Sequence, residues 1–175
     1  MKKTCIGIII AAFCLLAVNA SAYEHVMPSE AYDMVVNEGA YIIDVRTQAE
    51  WLWVGHPGTN NQGEGSALEG HVLNISLGIY KNKKYRKTSE LAENRRFVRD
   101  AQKLLAYDDI IITMCRSGGR SIFAAIALEE AGFTNVYNIK TGFEGSSDDN
   151  GYRSVNGWKN DGLPYNYSDT GMYTR

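Results

Sequence analysis

The run from Asp109 to Ala131 constrains this chain more than any other stretch. Ile110 to Met114 is a short continuous apolar segment, the pattern of a strand buried on both faces of a parallel sheet. Ser121 to Ala131 carries Ile122, Phe123, Ala125, Ile126 and Ala127, with Glu129 and Glu130 late, a helical pattern stopped by Gly132. Between them lies the loop Cys115-Arg116-Ser117-Gly118-Gly119-Arg120. A strand that enters a helix through a Gly-containing turn leaves unpaired backbone N–H groups facing the loop. The helix dipole and two guanidinium groups add positive potential. Each of these favours charged sulfur, so Cys115 is expected to be a thiolate in an anion hole. A lone cysteine at a strand end is ordinarily a small core hydrophobe. Two cations beside it have no use in an apolar core, and they point to a reactive thiol instead.

The rest of the chain alternates strands and helices. Ser29 to Glu38 reads as a helix closed by Gly39, and Tyr41 to Val45 as a buried strand. Thr47-Gln48-Ala49-Glu50 forms a capping box for a short helix holding Trp51 and Leu52. Gly55 to Gly70, with its glycines, asparagines and proline, predicts a long surface loop. Val72 to Leu77 predicts a strand. Lys81, Lys83, Lys84, Arg86 and Lys87 form a basic cluster in a polar connection. Asn94 is placed to cap a helix whose Phe97, Val98, Ala101, Leu104 and Leu105 share one face. Val136 to Ile139 is a last short strand, and from Thr141 onward the pattern is irregular. Such alternation predicts one α/β domain with a parallel sheet covered on both faces. Ligands collect at the carboxyl ends of strands in such sheets, where Cys115 falls.

The N-terminus reads as a removable export signal over residues 1–22. Lys2 and Lys3 precede an apolar run from Ile6 to Val18, and Ala20-Ser21-Ala22 fits the cleavage rule. The expectation is a periplasmic protein of residues 23–175, with no membrane association after cleavage. Removal takes Cys5 and Cys14 away, so Cys115 remains alone and a disulfide scaffold is excluded. The net charge of −2 becomes −4, which argues against a nucleic-acid partner. His25, His56 and His71 share no metal-ligand spacing, and Asp148-Asp149-Asn150-Gly151 reads as a turn, so no metal site is expected.

Four motifs together resemble a single-domain rhodanese: Ile43-Asp44-Val45-Arg46, Gly70-His71, the loop Cys115 to Ser121, and Asn138 through Gly142. The resemblance covers most of Pro28 to Pro164. The segments Trp53 to Pro57, Gly142 to Gly145 and Asn156 to Asn160 look like exported bacterial rhodaneses, which include polysulfide-sulfur transferases. The resemblance implies a five-stranded parallel sheet between helices. It also implies a cysteine that carries sulfane sulfur as a persulfide, with no separate cofactor. The chain departs from the family in a shortened turn after His71 and in the Gly55–Gly70 insertion. Thiosulfate-specialised relatives often carry a Lys within the loop, where this chain has Arg116, Ser117 and Arg120.

The expected reaction is sulfur transfer from polysulfide or thiosulfate to a thiol, cyanide or an acceptor protein. Cys115 is the nucleophile, and Arg116 and Arg120 stabilise outgoing negative charge. Ser117, Gly118, Gly119, Ser121 and Arg46 are the expected substrate-binding residues. Ser121 either bonds the sulfur or serves only the helix start. Arg46 and Glu50 are equally readable as an ion-pair member and a helix cap. A homodimer is among the expected assemblies. Two alternatives stand beside this reading. One is a sulfur or selenium carrier, or a sensor, that loads without turnover. The other is a cysteine-dependent phosphatase or arsenate reductase, disfavoured because those enzymes use Cys-x5-Arg and this loop is Cys-x4-Arg.

Overall fold

The structure, a computed structural model, describes residues 23–79 and 92–173. The export pattern of residues 1–22 and the Lys81–Lys87 cluster lie outside the described residues. Five parallel strands form the central sheet: β1 (Glu24–Val26), β2 (Tyr41–Asp44), β3 (Val72–Asn74), β4 (Ile110–Met114) and β5 (Asn135–Ile139). Their spatial order is β1-β5-β4-β2-β3. The helices are α1 (Pro28–Glu38), α2 (Gln48–Val54), α3 (Phe97–Ala101) and α4 (Gly119–Glu130). This is the expected α/β architecture, a rhodanese-like five-stranded parallel sheet with helices on both faces.

Both faces of the central strands are apolar because both are covered. Ile43, Val45, Ile111 and Val136 pack with Phe97 of α3 and with Ala124 and Leu128 of α4. Ile42, Ile112, Met114 and Ile139 pack on the other side with Ala31 and Val35 of α1 and Trp51 of α2. Burying side chains of this kind contributes roughly 1.5–3 kcal/mol each, which offsets the ordering of the chain. In the register, Asp44 stands beside Met114 on one side and Asn74 on the other. From β2 the chain steps outward to β3, then crosses back to β4 on the opposite flank. That reversal leaves a crevice above the carboxyl ends of β2 and β4, and Cys115 is the first residue past β4.

Three expectations need correction. Strand β1 has no counterpart in the sequence reading, because it is three residues long and Glu24 and His25 are exposed. The β3 strand stops at Asn74 rather than running to Leu77. There the Asn74 side chain donates to the carbonyls of Asp44 and Arg46, both at 2.8 Å, and the chain turns away. Asn94 does accept from Arg96 N, but helix α3 ends at Ala101, and Leu104 is left 42% exposed.

The Gly55–Gly70 segment is pinned down instead of lying loose on the surface. His56 and Pro57 pair antiparallel with Tyr165 and Asn166, and Leu68, in a short 3-10 turn, joins the core. His56 is buried and stacks on Trp51 at 3.6 Å between ring centroids. Its two ring nitrogens face the carbonyls of Pro57 and Ser168 at 2.8 and 2.9 Å. Burial pushes this imidazole below its ordinary range, against the pull of those two carbonyls. Trp51 Nε1 donates to the same Ser168 carbonyl at 3.0 Å. The chain's last described residues run along the open edge of β3, with Asn74 N donating to Gly171 O and Tyr173 N to Asn74 O, which covers that edge.

Candidate active site

Helix α4 starts at Gly119, two residues before the sequence pattern shows it, so Arg120 belongs to the first helical turn. Gly118 caps it in the left-handed region at φ 89°, and a Cβ there would lie 2.0 Å from Lys140 O. Gly142 closes the other side. A Cβ on it would come within 2.5 Å of Cys115 O. Only glycine permits both the backbone angle and the close approach. Phe143 N donates to Cys115 O at 2.8 Å, and the amides of Glu144 and Gly145 donate to Arg116 O. The carbonyls of Cys115 and Arg116 are thus satisfied. The loop's amides are not: among the described residues nothing accepts from the N–H groups of Arg116 to Arg120. Five consecutive free donors at the start of a twelve-residue helix form a cradle for an anion.

Cys115 lies at the floor of this cradle, only 1% exposed, rather than at its mouth. The hydroxyl of Ser121, also buried, donates within reach of Cys115 Sγ at 3.4 Å and of Gly118 O at 3.0 Å. Ser117 and Gly119 are exposed at the rim.

The two loop arginines are in different states. Arg120 is held by Glu50 in a bidentate pair, at 2.6 and 3.1 Å. Burial disfavours its charge, but the Glu50 bonds and carboxylate outweigh that. The sulfur of Cys115 and Asp44 add smaller favourable terms, so the guanidinium stays charged. Glu50 also completes the capping box, accepting from Thr47 N and Thr47 Oγ1. Burial raises the Glu50 carboxyl, and Arg120 and then Thr47 bring it down to about 2. One carboxylate thus caps α2 and aims a cation at the loop. Arg116 has no carboxylate partner among the described residues, and its Nε is buried without an acceptor. It is the loop cation left available to a ligand.

Arg46, expected at the substrate, is tied into the fold. It is fully buried and paired with Asp44 at 2.6 Å, donates to Gly55 O at 2.7 Å, and lies over the Phe143 ring at 4.2 Å. The geometry makes it a brace between the end of β2, the Gly55 turn and the segment that seats the loop. The Asp44 carboxylate and Gly55 O take Nε and Nη2, while Nη1 is buried without a partner among the described residues. The sequence reading has Asn138 only as the first residue of a motif, with no role at the site. Its amide nitrogen is 3.4 Å from Gly118 O and 3.1 Å from His25 Nδ1, joining the first strand to the loop. A polar residue inside an otherwise apolar strand was the available signal. A cleft of about 500 Å³ beside Thr47, Asn74, Ser76, Asn94 and Tyr173 has none of the Cys115–Ser121 residues in its lining. Asp148 accepts from Asn150 N, Tyr152 N and Ser154 Oγ, the bonds of a turn, as expected.

A family model for the rhodanese-like domain matches residues 27–149. The chain is 33% identical over 145 residues to the uncharacterized protein RP600 of Rickettsia prowazekii, covering 82% of this chain and 98% of that one. It is 26% identical over 145 residues to the thiosulfate sulfurtransferase GlpE of Actinobacillus pleuropneumoniae, covering 83% and 94%. The crystal structure of Rv0390 from M. tuberculosis aligns with a TM-score of 0.66 at 31% identity, over 84% of this chain and 100% of that one. The solution structure of the polysulfide-sulfur transferase homodimer from Wolinella succinogenes shares the fold. It aligns with a TM-score of 0.51 at 21% identity, over 82% and 77%.

Proposed function

The chain belongs to the rhodanese-like family, and from that premise we propose that it transfers sulfane sulfur through a persulfide on Cys115. The Cys115 thiolate attacks the outer sulfur of a polysulfide or thiosulfate. A new S–S bond forms to Sγ, the donor's S–S bond breaks, and its electron pair leaves with the shortened polysulfide or with sulfite. The persulfide anion then rests among the amides of Arg116 to Arg120. A second nucleophile, a thiol or cyanide, takes the outer sulfur and releases Cys115 as thiolate. The five unpartnered amides around a single buried sulfur carry this reading. Arg116 supports it as the cation left over for incoming and outgoing anions. Arg120, already neutralised by Glu50, shapes the loop. Polysulfide is favoured over thiosulfate as donor, because the loop offers no Lys. The Lys2 and Lys3 pair and the Ile6–Val18 run support an exported location.

Intact mass spectrometry after polysulfide or thiosulfate treatment tests this. The expected result is one added sulfur atom, absent in Cys115→Ser and removed by cyanide. No addition from any sulfane donor overturns the proposal. The 1% exposure of Cys115 favours one second reading, a carrier that loads and holds its sulfur. Multiple turnovers with a small thiol acceptor separate the enzyme from the carrier.

A further inference from the structure

The Ser121 hydroxyl has one proton and two acceptors. Gly118 O lies 3.0 Å from Oγ and Cys115 Sγ 3.4 Å, so both cannot be served at once. All the groups concerned are buried. Ser121, Asn138 and Thr113 are each 0% exposed, so water does not replace a bond that is lost. Gly118 O has a second donor within reach, Asn138 Nδ2 at 3.4 Å. The other amide hydrogen of Asn138 points to His25 Nδ1 at 3.1 Å. Thr113 Oγ1 approaches Asn138 Oδ1 at 3.3 Å and the carbonyls of Ser121 and Tyr137 at 3.0 and 3.1 Å. The Thr113 hydroxyl has one proton and two nearer carbonyls, so Asn138 is oriented by its own amide, with one N–H on His25 Nδ1 and the other aimed at the loop.

We propose that Asn138 is a positioning residue that frees the Ser121 hydroxyl for the sulfur. When Cys115 is a neutral thiol, Ser121 donates to Gly118 O, the shorter contact. When the sulfur is negatively charged, the hydroxyl rotates to Sγ, where a charge-assisted bond is stronger. Asn138 Nδ2 then holds the Gly118 carbonyl alone, so no buried acceptor is orphaned. No covalent bond changes; one proton turns about the Cβ–Oγ bond. The inference rests on the reading of Cys115 as a charged nucleophile, but it concerns the free protein and needs no sulfur donor.

The test is a double-mutant cycle on the full chain. The rate of Cys115 alkylation by iodoacetamide is read against pH by peptide-resolved mass spectrometry, which separates Cys115 from Cys5 and Cys14. Asn138→Leu is expected to slow alkylation at neutral pH by about three- to tenfold and move the profile to higher pH, as Ser121→Ala does. In the Ser121→Ala background Asn138→Leu is expected to add nothing. If Asn138→Leu does not fold, Asn138→Asp takes its place, since its direct charge effect is common to both backgrounds and cancels in the cycle. Equal effects with and without Ser121, or no effect of Asn138 in the wild type, overturn the proposal. Sulfur loading is measured separately, so failure of the persulfide chemistry and failure of this hydroxyl switch give different results.

Discussion

The Cys115 loop and the wrap formed by Gly55–Gly70 with the C-terminal segment are both irregular, glycine-rich and packed against the sheet. They differ in what their polar groups do. In the wrap, polar groups are used inside the protein: a His56 ring N–H, Trp51 Nε1 and the Asn166 side chain all have partners. In the loop the carbonyls of Cys115, Arg116 and Gly118 have donors, while five amides and the Nε of Arg116 have no acceptor among the described residues. Buried or crowded donors are rarely left unpaired unless something else is meant to meet them. The run of free amides thus sets the loop apart from the wrap where composition does not. Glycine content and burial are shared by both.

The sharpest way to break this contrast is Gly142→Ala. The added methyl meets Cys115 O and the Arg116–Ser117 backbone at a positive φ, so the loop cannot keep its shape. Loading of sulfur on Cys115 is expected to fall by about a hundredfold or more, with at least 1–3 kcal/mol of stability lost to the strained backbone. Mass spectrometry and thermal unfolding measure the two effects. A paired comparison comes next. Arg116→Ala is expected to slow loading about ten- to a hundredfold while changing stability by less than about 1 kcal/mol. His56→Ala is expected to do the reverse, costing roughly 2–4 kcal/mol and leaving the loading rate of folded protein near that of the wild type. Denaturant unfolding alongside single-turnover loading decides, and equal signatures for the two variants contradict the distinction.

The smallest expected effect lies at the seam of α2 and the loop. The folded Glu50 carboxyl sits at about 2 against an ordinary 4.5, so it binds its proton less readily in the folded state. The stabilisation is therefore fully present above about pH 4.5 and is lost as pH falls toward 2. It amounts to at most about 3 kcal/mol. Glu50→Gln should flatten that part of the stability-versus-pH curve, and an unchanged acid limb would show that the pair contributes nothing.

Much of this was legible in the sequence because it rests on local rules. The β4 strand, the Cys115 turn and the Thr47–Glu50 capping box are written in consecutive residues; the strand and the box stand as expected, and the turn is shorter because α4 takes in Gly119 and Arg120. What was not legible depends on partners distant in the chain. Glu50 reads as a cap because its second partner, Arg120, is seventy residues away. Arg46 reads either as a substrate-binding residue or as an ion-pair member, because the aromatic face above it comes from Phe143, distant in the chain. Strand β1 is too short and too exposed to leave a periodic signal, and only its pairing with β5 makes it a strand.

The depth of Cys115 has a chemical consequence. At 1% exposure the sulfur is met only through the loop that covers it, so alkylation of Cys115 is expected to run slower in the folded protein than in the unfolded chain, whatever the intrinsic reactivity of the thiol.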